Sequence, residues 1–255
     1  MLLAIDIGNT NITIGLFNET SLIETWRIAT SRNTTSDEYG INLLSILSNK
    51  EISPSNISGI AMCSVVPPLT TTYIELFKNY FNITPLIIGV GIKTGIKITY
   101  DSPRDVGSDR IADAAAVLHI YKGPAIIVDL GTATVFDAIT ESGEYLGGAI
   151  SPGIGVSAES LYQATSQLRR VELIAPNTAI GKTTTHSIQS GLILGYSELI
   201  KGMINRFKKE LGDNPKVVAT GGLADIISKE VGLFEIIDHD LTLKGLHILY
   251  KLNSK

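Results

Sequence analysis

Two aspartates end apolar runs and are followed by similar residues. Asp6 lies in "LLAIDIGNTNITIGLF" (2–17) and Asp129 lies in "AIIVDLGTATVFDAI" (125–139). Glycine lets backbone N–H groups approach phosphate oxygens closely, and Asn and Thr add side-chain donors. A carboxylate beside such a turn can hold a phosphate-bridging metal, directly or through water. One such turn alone is an ordinary Asp-Gly turn, but the pair predicts that nucleotide phosphates bind between two similar domains.

A third carboxylate, Asp109, lies in "VGSDRIADAAAVLHIY" at the start of a predicted Ala-rich helix. On these residues alone, a helix N-cap is the favoured interpretation of Asp109, because Asp serves well in that position. The corresponding interpretation of Arg110 is a surface ion pair with Asp113, three residues later. The alternative is chemical: a helix start keeps a carboxylate ionised, and a guanidinium fork suits a carboxylate ligand.

The elements that would position these residues repeat along the chain. Strands at 2–8, 12–17 and 22–28 predict a meander of hairpins, and strands at 125–130, 134–139 and 145–150 predict another. Alternating helices and strands follow each meander: helices at 34–50, 67–81, 109–121, 157–168, 185–211, 223–231 and 241–253, and strands at 59–66, 84–89, 216–222 and 233–238. This order predicts an α/β fold of two similar domains, 1–122 and 123–255, with a cleft between them.

Composition excludes several classes of protein. The chain has 255 residues, 44% of them hydrophobic, and a net charge of −4, and no basic tract is longer than the lysine pair at 208–209. A nucleic-acid surface is therefore not expected. Asp6 interrupts the apolar N-terminus, which lacks a basic region, and no apolar run approaches a membrane span. The single cysteine, Cys63, excludes an internal disulfide and is predicted to be a buried, inert thiol. We expect a cytoplasmic protein.

Seven short motifs occur in order along nearly the whole chain: "DIGNTN" (6–11), "VGSDR" (106–110), "VDLGTATVFD" (128–137), "GGAISPG" (147–153), "GKTTTHSIQSG" (181–191), "ATGGLA" (219–224) and "LTLKGL" (241–246). Together they resemble the motifs of the type III pantothenate kinase family. This family lies in the superfamily of acetate and sugar kinases, heat-shock chaperone ATPases and actin. One departure is Ser108, where the family usually has alanine; we expect only the backbone to matter there.

The resemblance implies a fold of duplicated ribonuclease H-like (actin-like ATPase) domains, each a mixed five-stranded sheet with helices on its faces. It also implies a nucleotide site. The first phosphate loop would comprise Asp6, Ile7, Gly8, Asn9, Thr10, Asn11, Ile12 and Thr13. Thr132 would belong to the second loop, and Gly221 and Gly222 to the turn that approaches adenosine. Asp129 would bind a monovalent cation, potassium or ammonium, and Asp6 would organise magnesium.

The resemblance further implies an acceptor site. Asp109 would be the base that takes the proton of the substrate hydroxyl, and the substrate would contact Tyr100, Gly107, Ser108, Asp109, Arg110 and Thr184. Two of these residues have simpler interpretations that remain open. Tyr100 could be an aromatic of a core strand, and Thr184 could be a helix N-cap.

The implied activity is ATP-dependent phosphorylation of the 4′-hydroxyl of pantothenate, the first step of coenzyme A synthesis. A homodimer is implied as well, and the apolar stripe of helix 185–211 could serve either a dimer interface or the core of one subunit. Neither nucleic acid nor membrane is expected as a partner. Two alternatives stay open: another small-molecule kinase of the same fold, and a non-catalytic ATP-binding regulator.

Overall fold

The computed structural model describes residues 1–212 and 214–254. Its strands are β1 Leu2–Ile7, β2 Asn11–Phe17, β3 Leu22–Ala29, β4 Gly59–Ser64, β5 Leu86–Ile87, β6 Lys97–Ile98, β7 Ala125–Leu130, β8 Ala133–Ile139, β9 Glu144–Pro152, β10 Lys216–Thr220 and β11 Ile236–Ile237. Its α-helices are α1 Ser36–Ser48, α2 Pro67–Phe81, α3 Ser108–Ala116, α4 Ile154–Ala164, α5 Thr184–Gln189, α6 Tyr196–Leu211, α7 Ala224–Val231 and α8 Leu241–Asn253.

The chain forms two compact units, and neither is continuous in sequence. The first comprises residues 1–95, 101–119 and 241–254, and the second comprises residues 96–100 and 120–240 apart from position 213. Helix α8 thus belongs to the first unit, and the short strand β6 belongs to the second. The expected division into 1–122 and 123–255 stays a prediction.

The first unit is built on a sheet with the strand order β3-β2-β1-β4-β5. β1 pairs antiparallel with β2 and parallel with β4, so β1 is central. One face carries Ile5, Ile7, Ile12 and Ile14 into a core with helices α1 and α2. On the other face, Gly15 and Phe17 of β2 lie against Leu243 and His247 of α8, and the His247 ring stacks on Phe17 with centroids 4.5 Å apart.

The second unit repeats this arrangement with a sheet of order β11-β10-β7-β8-β9-β6. Strands β7, β8 and β9 form the antiparallel meander, and β10 and β11 extend it in parallel from β7. Its core contains Ile126, Val128, Phe136 and Ile200. The predicted α/β class and the duplicated meander are therefore confirmed.

One detail of the second sheet differs from the expectation of five strands. β6 adds a sixth strand beside β9, with Lys97 opposite Glu144 and Ile98 opposite Tyr145. Thr99 extends the pairing, because its backbone N–H and its hydroxyl both donate to the Tyr145 carbonyl, at 3.0 and 2.9 Å. A two-residue strand has no periodicity that a sequence could reveal.

Helix boundaries follow local chemistry. α1 begins after Thr35, whose hydroxyl accepts from the Glu38 N–H while the Glu38 carboxylate accepts from the Thr35 N–H. This capping box fixes the residue at which α1 begins. The predicted helix 185–211 is helical throughout, as α5, a π-helical segment Ser190–Gly195 and α6. Among the described residues, none of the helices is long and apolar enough to cross a membrane.

Candidate active site

A row of side chains crosses the first sheet at the level of Asp6. Pairing places Asp6 opposite Thr13 on one side and opposite Cys63 on the other, and Thr13 lies opposite Arg27. Residues that are paired in register point to the same face of a sheet. This row, which we call the Asp6 row, is therefore on the face opposite to the core of α1 and α2. It is the face on which α8 packs.

Asp6 is held in an environment that disfavours its charge. The pKa of Asp6 is raised to about 7, first by burial and second by the neighbouring Asp109 carboxylate. The Cys63 thiol, which donates to Asp6 Oδ1 at 3.3 Å, and the positive charge of Arg27 act in the opposite direction. A buried carboxylate with a second carboxylate close to it forms a site that a cation stabilises.

The turn from β1 to β2 is fixed by backbone bonds. The Gly8 N–H donates to the Asn11 carbonyl at 3.0 Å, and the Thr30 hydroxyl donates to the Gly8 carbonyl at 2.7 Å. The Thr30 N–H also donates to the Thr10 carbonyl, at 3.0 Å. Asn9 and Asn11 are exposed at this turn. The predicted loop members Ile7 and Ile12 instead have side chains fully buried in the core, so only their backbone can serve a ligand.

Helix α3 brings Asp109 to this side of the sheet. Its N-cap is Gly107, so Asp109 is the second helical residue and the N-cap interpretation is wrong. The Asp109 carboxylate instead accepts from the Arg110 N–H at 2.8 Å. Ser108, the first residue of α3, anchors the helix to Ser64. Its hydroxyl accepts from the Ser64 N–H at 3.1 Å and donates to the Ser64 carbonyl at 3.3 Å. The hydroxyl is used, contrary to the expectation that only the backbone would matter.

Arg110 and Asp113 do not lie at the surface as expected, because both are buried, with exposed fractions of 8% and 3%. Asp113 Oδ1 accepts from the Thr242 hydroxyl of α8 at 2.7 Å. Near that bond, a Cβ at position 245 would overlap the Ala112 carbonyl oxygen, so Gly245 allows the two helices to approach at backbone distance. Helix α8 thereby fixes the position of the helix that carries Asp109.

The second unit brings Asp129, Thr132 and Gly221 together. Asp129 and Thr220 are paired in register near the carboxyl ends of β7 and β10, and Gly221 follows directly. Gly221 has φ +90°, and a Cβ there would lie 2.6 Å from Asp129 Oδ1, so the position requires glycine. Gly222 is exposed in the same turn. The Thr132 carbonyl accepts from the Gly153 N–H at 3.0 Å, which links the hairpin to the start of α4.

Tyr100 and Thr184 lie in other parts of the second unit. Tyr100 follows β6, is half-buried, and packs near Tyr145 with ring centroids 6.4 Å apart, so it is not an aromatic of a core strand. Thr184 is the first residue of α5 and is exposed. The N-cap is Thr183, whose hydroxyl accepts from the His186 N–H at 3.2 Å, so the N-cap interpretation of Thr184 is also wrong.

Sequence reasoning missed three residues of the first unit. Arg27 and Cys63 belong to the Asp6 row, and Thr30 fixes the loop after Asp6. Alternation along β3, with Trp26 and Ile28 packed on the core, is a signal that could have placed Arg27 on the Asp6 face. Cys63 is buried as predicted, and burial raises the pKa of its thiol well above the usual value.

The donor set can be tested against the expected cations. In the described parts of the chain, no group of three or more His, Cys, Asp or Glu side chains is arranged to hold a metal. Magnesium in kinases is bound by one or two carboxylates together with substrate phosphates and waters. Asp6 fits that pattern as a single carboxylate ligand. The Asp129 carboxylate lies close to Gly131 and Gly221.

Solved structures first define the class of protein. The fold resembles an inorganic polyphosphate/ATP-glucomannokinase from Arthrobacter sp. strain KM, with a TM-score of 0.52, 15% identity and 98% coverage of each chain. It also resembles a Baf family protein from Campylobacter jejuni described as a transcriptional activator, with a TM-score of 0.60, 22% identity and coverage of 98% and 97%. The fold is that of the sugar kinases and actin-like ATPases, as predicted.

Sequence comparison defines the family. A family model for type III pantothenate kinase matches residues 2–206. The chain is 48% identical to the type III pantothenate kinase of Dehalococcoides mccartyi strain CBDB1 over 253 residues, which cover 99% of this chain and 96% of the relative. It is also 48% identical to that of Syntrophobacter fumaroxidans, with coverage of 100% and 99%. The chain belongs to the type III pantothenate kinase family.

Proposed function

We propose that this protein is an ATP-dependent kinase that phosphorylates the 4′-hydroxyl of pantothenate, the first step of coenzyme A biosynthesis. The observation that carries the proposal is the placement of Asp109. Asp109 is the second residue of α3, on the face of the Asp6 row, and its carboxylate interacts electrostatically with Asp6. The choice of pantothenate as the acceptor is supported by membership of the type III pantothenate kinase family.

Asp109 is the proposed base. Phosphoryl transfer depends mostly on positioning and charge stabilisation, so the carboxylate orients the acceptor hydroxyl and takes its proton. Asp109 is the second residue of α3 and therefore lies in the first turn of the helix, near its N-terminus. Ser108 and Thr242 hold this helix through Ser64 and Asp113.

We propose further contacts to the part of pantothenate that lies away from the reacting hydroxyl. Gly107, Ser108 and Arg110 surround the base, and Arg110 offers a fork of donors to polar or anionic groups of pantothenate. Tyr100 and Thr184 of the second unit are proposed to contact the same substrate. Remote contacts of this kind orient the reacting hydroxyl and so contribute to the rate.

The nucleotide is assigned to two groups of residues. Asp6, Gly8, Asn9, Thr10, Asn11 and Thr13, with the backbone of Ile7 and Ile12, form the proposed first phosphate loop, and Thr132 belongs to the second. Gly221 and Gly222 are proposed to admit adenosine to the backbone. Magnesium, held by Asp6 and the phosphates, supplies charge neutralisation when bound. Asp129 is proposed to hold a potassium or ammonium ion.

The two cation assignments predict different mutant responses. Asp129→Ala should flatten the response of activity to potassium, because the carboxylate that holds the monovalent ion is gone. Asp6→Ala should instead weaken the response to magnesium. Both variants are titrated with each cation in turn under identical ATP and pantothenate. Superimposable profiles for the two variants would refute this division of roles.

A homodimer in the cytoplasm completes the proposal. The apolar stripe of helix 185–211 is largely used within the subunit, because Leu192, Ile193, Ile200 and Ile204 are buried in its core. Exposed apolar side chains elsewhere on the second unit, including Ile150 and Ile180, are better candidates for an interface. Sedimentation velocity of the wild-type protein tests the dimer directly.

One coupled assay separates the proposal from its alternatives. ADP release is followed with ATP, magnesium and potassium, in the presence and absence of pantothenate. The proposed function predicts release that depends on pantothenate. A non-catalytic regulator would bind ATP without releasing ADP, and a kinase for another acceptor would respond to that acceptor alone. The resemblance to a described transcriptional activator carries no weight here, because it shows the fold only.

A further inference from the structure

Arg27 lies on the Asp6 row and faces the proposed phosphate site. β3 pairs with β2 so that Arg27 is opposite Thr13, and Thr13 is opposite Asp6 on β1. Adjacent strands are about 5 Å apart, so the Cα atoms of Arg27 and Asp6 are about 10 Å apart. An arginine side chain can cross the short Thr13 between them.

The guanidinium is available to a ligand. Arg27 is exposed, whereas its neighbours Trp26 and Ile28 pack against the core on the opposite face. Among residues 1–212 and 214–254, no ion pair occupies Arg27. Glu24, which lies on β3 with Arg27, forms a salt bridge with Lys50, but on the core side of the sheet. A structural role in a fixed ion pair therefore does not account for Arg27.

The site has a need that Arg27 can meet. Asp6 and Asp109 already place two carboxylates on this face, and ATP brings several further negative charges. During transfer, charge is spread over the oxygens of the γ-phosphoryl group, and donors aimed at those oxygens lower the barrier. Arginine suits this task because its planar fork bonds two phosphate oxygens at once.

On these grounds, and resting on the function proposed above, we propose that Arg27 is a further catalytic residue, which contacts the γ-phosphoryl group during transfer. The bond between the γ-phosphorus and the β–γ bridging oxygen breaks, and ADP leaves with that oxygen. A bond forms from the γ-phosphorus to the acceptor hydroxyl oxygen, and the hydroxyl proton passes to Asp109. Arg27 donates N–H groups to the γ-phosphoryl oxygens and exchanges no atoms.

The test compares Arg27→Gln and Arg27→Lys with wild type and with Arg206→Gln. Arg206 is a matched control, since it is an exposed arginine of α6 in the second unit. Loss of a donor to the transition state predicts a decrease of about 100-fold in kcat for Arg27→Gln, with the KM for pantothenate changed less than about threefold. The kcat of Arg27→Lys should lie between those of wild type and Arg27→Gln, because lysine keeps the positive charge but lacks the planar fork of N–H donors.

A second measurement separates catalysis from mere support of the fold. Affinity for ADP is compared with affinity for ADP plus aluminium fluoride, which mimics the γ-phosphoryl group in transfer. Arg27→Gln should bind ADP as wild type does and lose the extra affinity that aluminium fluoride confers. The proposal is overturned if Arg27→Gln keeps kcat within about threefold, or if its ADP affinity and melting temperature fall together with kcat.

Failure of the parent function is recognised separately. If wild type releases no ADP with pantothenate but uses another acceptor, the proposed acceptor is wrong. The ratio of the kcat of Arg27→Gln to that of wild type, measured with the acceptor that the protein does phosphorylate, then still decides whether Arg27 acts on the phosphoryl group.

Discussion

Asp6, Asp109 and Asp129 are the same type of residue, but each lies in a different environment. Asp6 lies in a sheet row between Cys63 and Thr13, Asp109 follows the N-cap of a helix, and Asp129 lies against the backbone of Gly221. The sequence showed which aspartates to examine, because a glycine lies two residues away from each of them. It could not show the interaction of Asp6 with Asp109, since that depends on how α3 packs on the sheet.

The role of Asp109 is tested by its replacement with asparagine. Asn keeps the size and much of the hydrogen bonding of the carboxylate and removes the base. A positioned base contributes about 10²–10⁴ in rate, so kcat should fall in that range. ATP binding and thermal stability should change little, which nucleotide titration and thermal melting would show. Turnover close to that of wild type would remove Asp109 from the mechanism.

The charge of Asp6 predicts a dependence of stability on pH. A carboxyl whose pKa rises from 3.8 to about 7 on folding contributes stability that is complete below about pH 4 and is lost as the pH rises toward 7. In cation-free buffer, wild type should therefore lose unfolding free energy relative to Asp6→Asn between about pH 5 and pH 8, by more than about 1 kcal/mol. Urea unfolding of both proteins measures this difference. A difference that does not change with pH would contradict the assignment.

At the scale of elements, hydrophobic periodicity predicted most strands and helices, but it missed the short strand β6. β1 and β7 are apolar runs bounded by turns, and their existence followed from pattern alone. β6 has two residues and depends on the bonds from Thr99 to Tyr145. The burial of Arg110 likewise depends on the packing of α3, and residue type favoured the surface.

The packing of α8 on α3 gives a prediction for Gly245. Alanine there would push against the Ala112 carbonyl and separate the helix that carries Asp109 from its support. Gly245→Ala should lower the free energy of unfolding by about 2 kcal/mol or more, and it should also reduce kcat. Gly202→Ala is the matched control: Gly202 lies within α6 with open space around its Cα, and alanine should stabilise the helix by up to about 1 kcal/mol.

Chemical denaturation and initial rates on both glycine variants make the comparison. If Gly245→Ala and Gly202→Ala are equally stable and equally active, close helix approach at position 245 does not support the site.

At the scale of the whole molecule, the sequence predicted a duplication and the structure contains one. The order β3-β2-β1-β4-β5 in the first unit matches β9-β8-β7-β10-β11 in the second. What the sequence did not reveal is the exchange of segments, in which 241–254 completes the first unit and 96–100 joins the second. Such exchange is decided by tertiary packing, for example Leu243 against Gly15, and leaves no mark in local patterns.

Phosphate transfer from ATP is the measurement that tests the central claim most directly. Purified protein is incubated with γ-labelled ATP, magnesium and potassium, together with pantothenate, a hexose, glycerol or acetate in separate reactions, and the labelled product is identified by mass spectrometry and phosphorus NMR. The account predicts label on the 4′-hydroxyl of pantothenate, its loss in Asp109→Asn, and no comparable product from the other acceptors. Label on a hexose or on acetate, with none on pantothenate, would contradict the proposed function and leave the fold unaffected.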